Sequence, residues 1–137
     1  MPLENLSNYS DKYTNMSLNE LAITFLNRHN FKYSKIESNG LKTRESKLNF
    51  LITGQKGKDL ENPVKTGLIV KDYKKSTGAD TICQVERLTK ELGQDVNQII
   101  LLANEFSVPA RNLAERCGVP TISRGELISM LWNPTGL

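Results

Sequence analysis

The residues best placed to do chemistry lie between positions 67 and 92, GLIVKDYKKSTGADTICQVERLTKEL. A short apolar run, Leu68-Ile69-Val70, turns basic at Lys71, Lys74 and Lys75, with one carboxylate, Asp72, among them. β-Branched and apolar residues suit a strand with at least one buried face. Side chains alternate along a strand, so Leu68, Val70, Asp72 and Lys74 are expected on one face. Ile69, Lys71, Tyr73 and Lys75 are expected on the other. Each face begins apolar and ends charged. A core cannot hold such charges unpaired, so the strand should run from the interior to a rim. There it could present catalytic or phosphate-binding groups. Ser76-Thr77-Gly78 breaks the strand, and the chain restarts as an amphipathic helix.

The charge is unevenly placed. The chain carries a formal net charge of +3 over 137 residues. Residues 32–75 hold 11 Lys or Arg against 5 Asp or Glu, a local excess of six, and the rest of the chain is slightly acidic. A positive segment inside a near-neutral domain is how a phosphate-binding surface looks, although lysines also guard exposed sheet edges. Histidine occurs once, at His29. A cluster of histidine metal ligands is therefore excluded, and a lone His at a helix end serves more often as a dipole partner than as the base of a hydrolytic triad. Cys83 and Cys117 fall in separate expected helices among apolar neighbours, and they read as buried reduced thiols. No apolar run approaches the roughly 20 residues of a membrane span. The N-terminus has no basic segment followed by an apolar one, so no secretory signal is read there and the cytoplasm is the expected location.

The surrounding elements must position these groups. Residues 1–16 are polar and aperiodic and read as a flexible arm, leaving 17–137 as a single domain. Ser17 and Glu20 form a capping-box pattern. Leu18, Leu21, Ala22, Phe25 and Leu26 follow as one apolar helical stripe ending near His29. Residues 31–38 suggest a strand, and Asn39-Gly40 a turn. Leu48, Phe50 and Ile52 alternate with Lys47, Asn49 and Leu51, which predicts a half-buried strand. After the strand at 68–73 comes a helix over 80–92, with Ile82, Val85, Leu88 and Leu92 inward. Residues 99–103 form an unbroken apolar run, expected as a buried strand. Ser107 and Pro109 open the next helix and Gly118 closes it. Residues 119–122 give a short strand, and Ser123 with Glu126 repeats the capping box before a last helix. The order is αβββαβαβα. The late strands should pair in parallel through crossovers and the early ones as hairpins.

That order, together with VKDYKKSTG–CQVERL and ANEFSVPARNLAERCGVPTISRGELISML, resembles the Mrr-type branch of the restriction-endonuclease-like superfamily, the PD-(D/E)XK nucleases. The pattern resembles that of small archaeal proteins predicted to be nucleases of that type, over about residues 17–132. The resemblance implies an α/β fold with a mixed sheet of about five strands flanked by helices. It also implies Mg²⁺ held by an Asp on one strand and by an Asp or Glu two residues before a Lys on the next. Hard oxygen ligands suit Mg²⁺, and the metal with the Lys would activate water and steady phosphorane charge.

This chain departs from that pattern. Asn49 stands where the first metal-binding Asp belongs, and an amide is the weaker ligand. On the next strand two registers remain open. With Lys71 as the motif lysine the acid position is Ile69, and the site lacks its carboxylates. With Asp72-Tyr73-Lys74 as the motif, Asp72 is a ligand, Lys74 the catalytic cation, and Glu45 a possible substitute acid. The spacing to Gly78 and Gln84 favours Lys71, and Gln84 matches a polar residue expected to face the site. Glu20 matches an acid some members contribute from the first helix, although its capping role already explains it. Tyr73 reads as packing, with base stacking the alternative.

The leading expectation is a nucleic-acid-binding protein with a degenerate metal site, DNA rather than RNA. Lys42, Arg44, Lys47, Lys71, Lys74 and Lys75 are its phosphate contacts. An active Mg²⁺- or Mn²⁺-dependent endonuclease and a non-catalytic assembly subunit are the alternatives. Homodimerisation is common in nucleases of this fold.

Overall fold

A computed structural model of the chain describes residues 13–36, 48–57, 64–93 and 95–132. The elements are α1 (Leu18–Arg28), β1 (Phe31–Lys35), β2 (Phe50–Gln55), β3 (Thr66–Lys71), α2 (Ala79–Glu91), β4 (Gln98–Ala103), α3 (Val108–Cys117), β5 (Thr121–Ser123) and α4 (Arg124–Trp132). The five strands form one sheet in sequence order. β1–β2 and β2–β3 are antiparallel, and β3–β4 and β4–β5 are parallel. This is the expected mixed α/β architecture, and it agrees with the restriction-endonuclease-like fold.

Local chemistry explains where the helices start. Ser17 Oγ accepts from Glu20 N–H at 3.1 Å while Glu20 Oε2 accepts from Ser17 N–H at 3.2 Å, a complete capping box. Ser123 and Glu126 repeat it on α4, at 3.2 and 3.4 Å. Ser107 Oγ accepts from Ala110 N–H to open α3, and Gly118 closes it in the left-handed conformation at φ 70°.

Each face of the sheet is covered by a helix pair. On one side α1 and α4 bury Leu18, Leu21, Leu26, Leu127 and Leu131 against Phe50, Leu68, Val70 and Leu102. On the other, α2 and α3 bury Ile82, Val85, Leu88, Ala110 and Ala114 against Ile69, Ile99, Leu101 and Ala103. Strands β3 and β4 are thus apolar on both faces, as a parallel pair between two helical layers must be.

Several expectations are corrected. Leu48 and Phe50 were expected on one face, but Leu48 packs on the α2/α3 side and Phe50 on the α1/α4 side. A bulge causes this. Leu68 is the register partner of Phe50, yet Asn49 N–H also donates to Leu68 O, so two residues face one. Leu48 is thereby turned to the opposite face. The strand expected over 68–73 ends at Lys71. Residues 13–16 are no loose lead-in: Tyr13 is 5% exposed and belongs to the α1/α4 core. Cys83 is exposed, because it sits one step around α2 from buried Ile82. Cys117 is half-buried, and its thiol donates to the Glu86 carboxylate, which raises the thiol's pKa. The Asn39-Gly40 turn lies outside the described residues. No helix among the described residues is long and apolar enough to cross a membrane.

Leu48 can cross to that face because position 67 has no side chain. A Cβ on Gly67 would lie 2.9 Å from Leu48 Cδ2 and 3.3 Å from Ile99 Cγ1. Gly67→Ala should therefore cost about 1–3 kcal/mol in denaturant unfolding. The penalty should shrink in a Leu48→Ala background, a coupling that a double-mutant cycle measures.

Candidate functional site

Three parallel strands, β3, β4 and β5, end at the same edge of the sheet, where Lys71, Ala103 and Ser123 lie in adjoining register. The crevice beyond the carboxyl ends of parallel strands is the usual ligand position in open α/β sheets. The residues that follow these strands form one hydrogen-bonded cluster there.

Asp72 is its centre. Its Oδ2 accepts from Leu18 N–H at 3.1 Å, the first turn of α1, and its Oδ1 accepts from Asn104 Nδ2 at 2.8 Å. Asn104 Oδ1 accepts from Arg124 Nε at 2.7 Å, and Arg124 Nη2 lies 3.9 Å from Asp72 Oδ1. Arg124 Nη1 also donates to Met16 O at 2.8 Å and Tyr13 O at 3.5 Å. Asn104 Nδ2 further donates to Tyr73 O at 2.8 Å. One carboxylate thus joins the start of α1, the ends of β3 and β4 and the first residue of α4. The Asn104 amide foremost, then the Leu18 N–H and the Arg124 charge, hold the Asp72 carboxyl below its ordinary value of 3.8 against the opposing effect of burial.

Lys71 leaves the strand on the other side. With Ile69 it lines an open cleft of about 510 Å³ against α2, alongside Thr81, Gln84, Arg87 and Glu91. Lys71 and Gln84 therefore meet at one concavity, and Ile69 occupies the strand position two residues before that lysine. Tyr73, Lys74 and Lys75 follow on the exposed rim. Tyr73 does not pack: it is 51% exposed, with Lys71 Nζ 5.9 Å from its ring centroid. The premature strand end is the reason, since the alternation that would have turned Tyr73 inward stops at Lys71.

The donors proposed for a metal are otherwise engaged. Asn49 Oδ1 accepts from Val70 N–H at 2.8 Å, replacing the ladder bond lost at the bulge. Glu20 Oε2 serves the capping box, and both Asp72 oxygens have protein donors. No group of three His, Cys, Asp or Glu able to hold a metal occurs among the described residues. These side chains do not fit a Mg²⁺ site, and no chemical step is derived through one. Lys42, Arg44, Glu45 and Lys47 lie outside the described residues.

No family model matches the chain, and no curated protein sequence does. Among solved structures, that of AF1548, a protein of unknown function, superposes with a TM-score of 0.60 at 12% identity. The match covers 82% of this chain and 64% of that one. What the two share is a fold. EndoMS in apo form gives a TM-score of 0.48 at 18% identity, over 80% of this chain and 46% of that one. The complex of EndoMS with double-stranded DNA gives 0.43 at 17%, over 75% and 42%. The chain spans less than two thirds of AF1548 and under half of EndoMS.

Asn104 and Arg124 were not singled out in the sequence. The available signal was their place, immediately after two buried strands that end at the same edge.

A carboxyl whose folded pKa lies below its unfolded value adds stability that is complete above the unfolded value and lost as pH falls through the folded one. Wild type should therefore lose stability as pH drops below about 4. Asp72→Asn should be less stable at neutral pH and lose less across that acid window, as followed by denaturant midpoints. Asp72→Ala should cost about 1–2 kcal/mol at pH 7.

Proposed function

We propose that this protein binds nucleic acid through the rim at the carboxyl ends of β3 and β4 and that it does so without cleaving it. The observation that carries the proposal is the contrast at that rim. Lys74 and Lys75 are exposed, and Lys71 opens onto the α2 cleft. The one carboxylate among them, Asp72, is held by Leu18, Asn104 and Arg124. Positive side chains are thus free for phosphates, while the carboxylate that would compete for them is already paired. Charge of this kind attracts a polyanion through counterion release, so affinity depends steeply on salt.

Lys42, Arg44 and Lys47 extend the same basic segment in sequence and are proposed as further phosphate contacts. Ile69 and Asn49 at the two acid positions support a binding rather than a hydrolytic role. Gln84, beside Lys71 in the cleft, is proposed to orient the bound backbone.

Binding to labelled DNA, followed by anisotropy across a salt series, should weaken linearly in log–log form. Replacing Lys71, Lys74 and Lys75 together by Ala should flatten that slope by roughly two to three, at about 0.7–0.9 per phosphate contact. An unchanged slope would remove the rim from the interface. Incubation with Mg²⁺ or Mn²⁺ should leave DNA intact. Metal-dependent cleavage that disappears in Asp72→Ala and in Lys74→Ala would instead establish an endonuclease.

A further inference from the structure

From the exposed ring at the start of this rim we infer that Tyr73 is a stacking platform for an unpaired base, and that the nucleic acid taken here is single-stranded. The inference rests on the nucleic-acid reading above and narrows its substrate class. Tyr73 is 51% exposed and is the one tyrosine among the exposed large hydrophobic residues described.

Its loop is held at both ends. Asp72, immediately before it, is tied to Leu18 and Asn104. The carbonyl of Tyr73 itself accepts from Asn104 Nδ2. At the far end Thr77 N–H donates to Glu105 O, and Ser107 N–H donates to Thr77 O, so residues 72–77 are pinned to the loop after β4. The backbone is tethered on both sides of the ring while the ring stays half in solvent, which lowers the entropy lost when a partner lands on it.

Lys71 Nζ, 5.9 Å from the ring centroid, and exposed Lys74 and Lys75 place cations on either side in sequence. With the ammonium over one face of the ring and half of the residue exposed, a base can stack on the open side while the cation meets the adjoining phosphate. In a duplex the base faces are covered by their neighbours. In a single strand they are open, and aromatic stacking on them is tolerant of sequence. Of the carboxylates on this loop pair, Asp72 is held by Leu18 and Asn104, and Glu105 Oε2 accepts from Ser76 Oγ at 3.3 Å.

The test compares wild type, Tyr73→Ala and Tyr73→Phe for binding to a labelled oligodeoxythymidine and to a duplex of equal length. On the single strand, Tyr73→Ala should lose about tenfold or more, and Tyr73→Phe should stay near wild type. Duplex binding should barely change in either variant. Thermal unfolding should match wild type, since the fixed contact of this residue is made by its backbone. Wild-type affinity retained in Tyr73→Ala, or equal losses on both nucleic acids, overturns the stacking role and leaves the phosphate contacts standing. Failure of wild type to bind either nucleic acid overturns the binding function, and the stacking role with it.

Discussion

A half-exposed carboxylate at the end of a strand organises the edge of this molecule. Asp72 meets the free N–H of Leu18 at the positive end of α1, where an anion is favoured by the aligned peptide dipoles. It also meets the Asn104 amide and the Arg124 guanidinium, and through them the ends of β4 and β5. Satisfying this one group fixes where β3 must stop. Once the backbone turns to deliver Asp72 to α1, the strand alternation ends, and the residues after it are released to the rim.

That termination separates three chemistries that lie within five residues. Lys71 remains on the strand and faces the cleft beneath α2. Asp72 is consumed by the framework on the α1/α4 side. Tyr73, Lys74 and Lys75 are left on the rim, outside both cores. The outcome differs from a metal-dependent hydrolytic site in its electrostatics. Such a site gathers carboxylates left free of protein hydrogen-bond donors, whereas here the carboxylates of Glu20 and Asp72 are met by backbone and amide donors and Lys74 and Lys75 are exposed. Exposed lysines at such a rim would suit an anionic partner, as proposed above.

Asn49 illustrates how a residue in a catalytic-looking position can be required by the sheet. Its amide oxygen takes the Val70 N–H that the bulge leaves without a ladder partner, and its own N–H joins Leu68. An unpaired buried N–H is costly, so this side chain has structural work that no comparison of sequence patterns reveals. Alternation in sequence placed Leu48 with Phe50, because a period-two pattern contains no mark of an inserted residue. Gly67 was the only hint, since a glycine within an apolar strand often marks a close approach.

The amino-acid sequence by itself determined the helix starts, the chief buried stripes and the order of the elements. Those signals act over a few residues: Ser17 with Glu20, Ser107 with Ala110, and Leu18 with Leu21 and Ala22 are neighbours on the same turns. It also determined the basic stretch that ends in Lys71, Lys74 and Lys75. Tertiary structure alone decided which of those charges would be free. Asp72 finds its donors 54 and 32 residues away, and the donor of the second is itself held by a side chain 20 residues beyond. Contacts at such separations depend on the sheet and both helical layers being in place, so they leave no local trace. The same distance effect turned Tyr73 from an expected packing residue into an open ring.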